Sequence, residues 1–501
     1  MRMKKLLTSV CVIAMVAVLG ACGGGKTPAE DVTGKDAVVT EQPDTKEPEK
    51  PEEGKNSEKE EVSKDKPVDV GKEPEGKDED KKVTEEPEKD EVFNVLPTIE
   101  ETVLWDEDGL KITATELTYT KYNAELSVLI ENDSDKEMSV IAGSAGYCCN
   151  AINGYMVEDG YLNEDVSAGK KSKEKITFSL KELAIYGITE IAEIRVGFDI
   201  DMGEGEEFYT GPRVIKTSVA DNYDFARNTY RENVSSKDLE RDYDCTIEVF
   251  KETEKVVMDG FTLMSYALVR NSDEEQMLLL EMKNDTEEVV RFDAVGLTVN
   301  GLDVYRYSMG SDFIAPSCRC VTNINLDSNI DETYRSAFGL TSMDKLSFTV
   351  KVRDEEYREM LAETEICLEL SDTVAPIDTS GTEVFHQEGI RIVSKGLFED
   401  SSEYRDDIHL VMLVENNTSE TIRLENVYDS LSVNGFMTDY TLYSEKLGAG
   451  ALYVMNIVID ADSLTENDVN GIAEISEVEF SVKFETEKYD EIAEATVKVE
   501  F

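Results

Sequence analysis

The sequence predicts an all-β protein: three tandem β-sandwich modules behind a disordered acidic stalk. Three observations predict it. First, apolar and polar residues alternate over short runs: IRVGFDI from Ile194, LSFTVKV from Leu346 and VEFSVKF from Val478. A period of two puts one face of a strand in a core and the other in water. Val, Ile, Phe, Tyr and Thr dominate these runs, the residues that fill a pleated surface best. Second, the same succession of runs and turns occurs three times, the mark of a repeat architecture. Third, residues 26–92 hold 13 lysines against 24 acidic residues and are rich in proline. Such a segment cannot bury enough apolar surface to offset its ordering entropy.

The N-terminus reads as an address. Arg2, Lys4 and Lys5 precede an apolar run from Leu6 to Val18. The run is short of the roughly 20 apolar residues a membrane span needs and fits a secretory signal. Leu19, Gly20, Ala21 and Cys22 then resemble a bacterial lipobox, in which small residues admit a peptidase that cuts before cysteine. The resemblance implies a signal peptide at 1–21 and lipidation of Cys22. More than one acyl chain there would anchor the protein to a membrane stably. Residues 22–96 then form anchor and linker, which charge and proline keep extended.

The repeats occupy 97–219, 243–373 and 376–501, about 125 residues each and enough for separate cores. Each opens on a turn glycine, Gly109, Gly260 or Gly389, before a strand. An apolar strand follows and ends at Asn132, Asn284 or Asn416. Next come Asn153-Gly154, Asn300-Gly301 and Asn434-Gly435, which predict type I′ hairpin turns, because both residues tolerate positive φ. A second turn signal, Gly169, Pro316 or Gly450, lies sixteen residues beyond each of these asparagines. A helix-like piece follows in copies one and three (YGITEIAEI, VNGIAEISEV), then an alternating strand and a closing strand. About seven short strands per copy, separated by turn residues, predict a sandwich. The interval 220–242 has no counterpart before copy three and reads as a linker or a short helix.

Charge and composition exclude several function classes. The net charge of -57 excludes nucleic acid, which is held by basic side chains, and docking of a folded surface on anionic lipid. Only two histidines exist, His386 and His409. No nucleophile elbow, phosphate-binding loop or dinucleotide fingerprint accompanies them, so the reading is non-enzymatic. No cofactor is expected. Calcium, which takes several oxygen ligands, has two candidate sites. One is ENDSDKE (Glu131 to Glu137), better explained as a turn. The other is DIDMGEGEE, with Asp199, Asp201 and Glu204 as ligands.

Six cysteines follow Cys22: Cys148, Cys149, Cys245, Cys318, Cys320 and Cys367. Copy three has none, so disulfides are not the framework of the module. Cys245 and Cys367, in the first and last strands of copy two, are a pairing candidate; the competing reading is inert thiols. Tyr147, Tyr155, Tyr161, Tyr305 and Tyr307 are candidates for a carbohydrate platform, with core or edge packing as the alternative.

Lipobox, charged stalk and repeat layout together resemble the immunoglobulin-like-repeat lipoproteins of Firmicutes, especially clostridia. The resemblance implies a Gram-positive cell surface and carries over no functional residue. The functional expectation is a membrane-anchored extracytoplasmic protein that displays its modules for non-catalytic binding or adhesion, the partner being a protein or a glycan. The alternative is a structural or assembly spacer of the cell envelope.

Overall fold

Four antiparallel strands open each copy in the same order. In copy one they are Thr102–Glu107, Leu110–Tyr119, Asn123–Asn132 and Lys170–Ser179. In copy two they are Thr246–Met258, Phe261–Arg270, Gln276–Asn284 and Cys318–Asn325, and in copy three Thr382–Gln387, Ile390–Glu399, Ile408–Asn416 and Leu452–Ile459. The computed structural model describes residues 93–143, 150–203, 207–355, 357–399 and 407–501. The signal, Cys22, the stalk, Tyr147, Cys148, Cys149 and Glu204 lie outside them. The chain is all-β, and a second sheet packs on the first in each copy. In copy two it is built from Val290–Val299, Leu302–Ile314, Lys345–Asp354 and Met360–Glu369.

The alternation read from sequence is the packing observed. Along Asn123–Asn132 every second residue is buried, from Ala124 to Asn132, and Lys345–Asp354 and Glu477–Thr486 repeat the pattern. The buried rows build three cores, around Ile112, Phe178 and Ile194 in copy one, Phe261, Phe292 and Phe348 in copy two, and Leu410, Phe480 and Phe484 in copy three.

Two details differ from the sequence expectation. The second turn of copy two falls on Ser317 (φ 58°), equivalent to Gly169 (64°) and Gly450 (73°), and so one residue beyond Pro316. In copy three the expected piece VNGIAEISEV does hold a short 3-10 helix, Ile472–Glu474. The α-helices, however, sit directly after the fourth strand, earlier than expected, and copy two has them as well. They are Leu180–Ile185, Leu326–Asn329 and Ala461–Glu466. Their starts are set by Ser179, Asn325 and Asp460, whose side chains accept a backbone N–H of the first turn.

The copies are joined by shared sheets. Tyr155–Met156 of copy one lies parallel to Cys318–Asn325 of copy two, with Tyr155 opposite Arg319. Leu302–Ile314 of copy two lies parallel to Leu452–Ile459 of copy three, with Leu302 opposite Leu452. Each first sheet of copies two and three therefore continues into the preceding copy.

The interval 220–242 is a folded wedge. It contains the helix Thr229–Ser235, capped by Asn228, and opens the helix Asp238–Tyr243. On the copy-one side, Thr229 Oγ1 donates to Tyr186 O (2.6 Å), and Asn233 Nδ2 donates to Ala184 and Ile185 carbonyls (2.8 and 2.9 Å). On the copy-two side, Arg231 Nε meets the fully buried Glu281 at 3.0 Å, and Asn228 Nδ2 donates to the same carboxylate at 2.6 Å. Tyr230, Val234 and Leu239 fill the core of copy one. The charged composition of this interval concealed three core residues, Tyr230 and Val234 four apart on one helix and Leu239 on the next.

Candidate binding cleft between the second and third copies

A cleft of about 610 Å³ opens where copy two meets copy three. Its floor is made by a break in the second sheet of copy two. The pairing of Val290–Val299 with both neighbours shifts between Val295 and Thr298. Gly296 sits there at φ 75°, and a bulge of this kind bends a strand and withdraws it from its partner. Ser347, Thr349 and Lys351 flank the gap, and Glu363 and Glu365 form its outer wall. Copy three closes the cleft with Arg423, Ser444, Glu445 and Lys446.

Arg306 organises the junction side. Its Nη2 bonds Asp303 Oδ2 at 2.7 Å, its Nη1 lies 3.5 Å from Glu445 Oε2, and it donates to the Lys446 carbonyl. The guanidinium stacks over Tyr453 at 4.4 Å. Burial pushes the Asp303 carboxyl up to about 6, against the pull of Arg306, and raises Glu445 for the same reason. Arg423 pairs with Glu425 (2.5 Å) and covers Tyr489 at 4.7 Å.

Tyr305 lines the cleft, and Tyr307 and Tyr443 continue from it as a cluster of rings outside the lining. Tyr305 and Tyr307 meet edge to face with centroids 5.6 Å apart, and Tyr307 meets Tyr443 in the same way at 6.4 Å. Tyr307 and Tyr443 remain 54 % and 62 % exposed. Exposed aromatic rings beside a polar floor offer an apolar face and hydrogen-bonding groups together, the combination that orients a polar ligand.

The other candidates are dispersed. Tyr155 is buried at the first junction and stacked on Tyr186, whereas Tyr161 is exposed. Asp199 and Asp201 share one face of a short strand. Asp199 is buried, and its carboxyl is pushed up to about 6 by burial and by Glu207. Asp201 is exposed and accepts the Gly203 N–H at 2.7 Å. No group of three His, Cys, Asp or Glu among the described residues is placed to hold a metal ion. In the ENDSDKE stretch, Asn132 donates to the Lys136 and Val166 carbonyls and accepts from Ser134. Asn284 and Asn416 make the same bonds. The stretch is a turn whose asparagine ties the two sheets together.

The repeated Asn-Gly pairs are turns as well. Asn153, Asn300 and Asn434 all have φ near 51°. Each side-chain oxygen accepts two backbone N–H groups, Ala192 and Glu193, Asp344 and Lys345, or Ser476 and Glu477. The turn is thereby stapled to the start of the alternating strand some forty residues on.

His386 lies 3.6 Å from Glu383, and His409 Nδ1 lies 3.0 Å from Asn456 Nδ2. The Cys245–Cys367 pairing is not formed, and both thiols are free. Cys245 Sγ reaches Leu239 O at 3.7 Å, whereas the Cys367 carbonyl accepts from Lys255. Ten residues at about 3.3 Å each separate Cys245 from Lys255 along one strand, far beyond the reach of a disulfide. Cys318 and Cys320 are buried; burial raises the first to about 11 and the second well above its usual value. Thiols held so far from ionisation are poor nucleophiles.

No protein-family model matches the chain, and no curated protein matches it. Solved structures that align with it include the following three. A protein of unknown function from Porphyromonas gingivalis W83 aligns at 11 % identity and a TM-score of 0.14, over 46 % of this chain and 92 % of that one. A structure described as a 1.5-MDa bacterial ice-binding adhesin, concerned with its retention on the host cell surface, aligns at 10 % identity and 0.12, over 75 % and 90 %. The BSP domain of a biofilm associated protein aligns at 8 % identity and 0.12, over 75 % and 78 %. At these scores no function passes from one chain to another.

Proposed function

We propose that this chain is a lipid-anchored extracytoplasmic protein that displays tandem sandwiches for non-catalytic binding of a glycan. The observation that carries the reading is the cleft lined by Tyr305, from which Tyr307 and Tyr443 extend as an exposed ring cluster. A sugar ring would lay its apolar face on a tyrosine and turn its hydroxyls toward the Arg, Lys and Glu side chains of the floor. The LGAC sequence ending at Cys22 and the Lys/Glu/Pro-rich stretch behind it support anchorage at a distance from a membrane. A spacer would need neither this exposed ring cluster nor Tyr428 and Tyr489, 79 % and 67 % exposed on copy three.

The test is calorimetric titration of the full chain with solubilised cell-wall glycans, beside the Tyr307→Ala/Tyr443→Ala double variant. Saturable binding that the double variant loses supports the reading. No binding, or binding unchanged by the double variant, overturns it. Anchorage is tested separately: Cys22→Ala should move the protein from the membrane fraction to the medium.

A further inference from the structure

Both junctions between copies use one register. The fourth strands of the three first sheets are equivalent through their inner neighbours: Lys171 lies opposite Glu131, Arg319 opposite Lys283, and Leu452 opposite Glu415. The outer edge of the second of these strands is taken by Tyr155 at Arg319, and of the third by Leu302 at Leu452. Tyr155 and Leu302 each stand two residues after a turn asparagine, Asn153 or Asn300. The Arg319 N–H points outward and donates to Gly154 O at 2.8 Å. At the second junction the copies are connected through residues 371–381, and the helix Glu332–Phe338 of copy two packs against Ile390–Glu399 of copy three, with Lys395 over the Phe338 ring at 5.1 Å.

The two ends of the array carry one unused half each. At the far end, Asn434-Gly435 repeats the turn, with φ 51° and 82° and the same side-chain staple. Phe436 and Met437 follow it in a two-residue strand and are 57 % and 60 % exposed. Their counterparts Tyr155, Met156 and Leu302 are 2 %, 8 % and 0 % exposed. At the near end, Lys170–Ser179 is the edge of its sheet, with no strand on its outer side among the described residues. Four lysines, Lys170, Lys171, Lys173 and Lys175, stand exposed along it. They keep unlike edges away; Lys171 and Lys175 pair with Glu131 and Glu125 of their own sheet, and the far end carries exposed Asp429, Asp439 and Glu474 around the Phe436 turn.

We propose that Phe436–Met437 of one molecule adds in parallel to the Lys170–Ser179 strand of a second copy of this chain, with Phe436 opposite Lys171 and the Lys171 N–H donating to Gly435 O. The occupant is a second copy because the register, the turn and the acceptor edge are those the chain already uses twice within itself. Two different surfaces meet, so each molecule keeps a free half, and the association is open-ended rather than closed. The inference depends neither on the anchor nor on a ligand in the cleft.

The experiment is sedimentation velocity on the chain from residue 22 onward carrying Cys22→Ala, so that lipid drives nothing. The expected result is a ladder of species that grows with concentration up to high micromolar and weakens with added salt. Phe436→Asp removes one half and Lys171→Pro the other. Proline is tolerated where an edge N–H faces outward. Each variant alone should weaken association at least about tenfold, while an equimolar mixture should give dimers and nothing larger, because one intact half survives on each variant. Circular dichroism checks that both fold; Phe436→Asp alters only an exposed side chain and remains decisive if the proline variant does not. A wild-type chain that stays monomeric throughout overturns the proposal. So does association that ignores Phe436→Asp, or a dimer that needs Phe436 but ignores a folded Lys171→Pro, which would place two far ends against each other.

Discussion

Arg231→Met should uncouple copy one from copy two, because it strands a buried charge. Glu281 is fully buried and accepts from Arg231 Nε (3.0 Å), Asn228 Nδ2 (2.6 Å) and Ser265 Oγ (2.5 Å). Removing one partner of a buried pair costs about 3–5 kcal/mol, and the two remaining donors hold this case to the lower end. Arg231 also donates to Met264 O at 2.5 Å, a bond worth about 1 kcal/mol. Its contact with the exposed Glu252 adds little. We expect a loss of about 3–4 kcal/mol, seen in urea as a midpoint lowered by roughly 1–2 M. The single tryptophan, Trp105, lies in the first strand of copy one and reports that copy by fluorescence. Adding Glu281→Gln should recover much of the loss, since no charge then remains unpaired. A loss below about 1 kcal/mol, or a double variant as unstable as the sum of the singles, would refute the reasoning.

Asn416→Ala deletes bonds to Thr418 N, Glu420 O, Leu447 O and Gly448 O. At about 1 kcal/mol each it should cost roughly 3–4 kcal/mol, measured by urea unfolding of copy three. Gly187→Ala forces a side chain at φ 64° and places its Cβ 2.6 Å from Thr229 O; the wedge should loosen, seen as faster amide exchange over residues 229–235. Stability should rise on mild acidification. Burial raises Asp312 and Asp303 to about 6 in the folded chain, against about 3.9 unfolded. The folded state therefore binds more protons between those values, and stability falls as pH rises from about 4 to 6 and is level above. Melting temperature at pH 5 should exceed that at pH 7.5, and Asp312→Asn should reduce the difference.

Much of the fold was legible in the sequence because period-two alternation and Asn-Gly turns are local signals. The strand at Asn123–Asn132 and the turn at Asn300 could be placed from a few residues each. The helices were misplaced because their starts depend on Ser179, Asn325 and Asp460 ending a strand, and serine, asparagine and aspartate also mark turns. The cleft was only half legible. Tyr305 and Tyr307 could be singled out, but Tyr443 lies over a hundred residues away and meets them only through the pairing of Leu302 with Leu452. The wedge was read as a linker or short helix because Arg231 and Asn228 look solvated until Glu281 is brought beneath them. Nor does a Cys245–Cys367 separation follow from strand assignments alone, since it depends on the register of Lys255 against Cys367.

The parallel strand pair between copies two and three leaves no hinge where the cleft lies. Modules strung on flexible connections must freeze their mutual orientation before a ligand can bridge them, and that lost freedom subtracts from affinity. Here the backbone bonds that build the junction have already fixed Tyr307 relative to Tyr443. A bridging ligand would meet a preset gap, with its length selected by the spacing of the two walls. Ligands a residue too short or too long would bind through one wall alone.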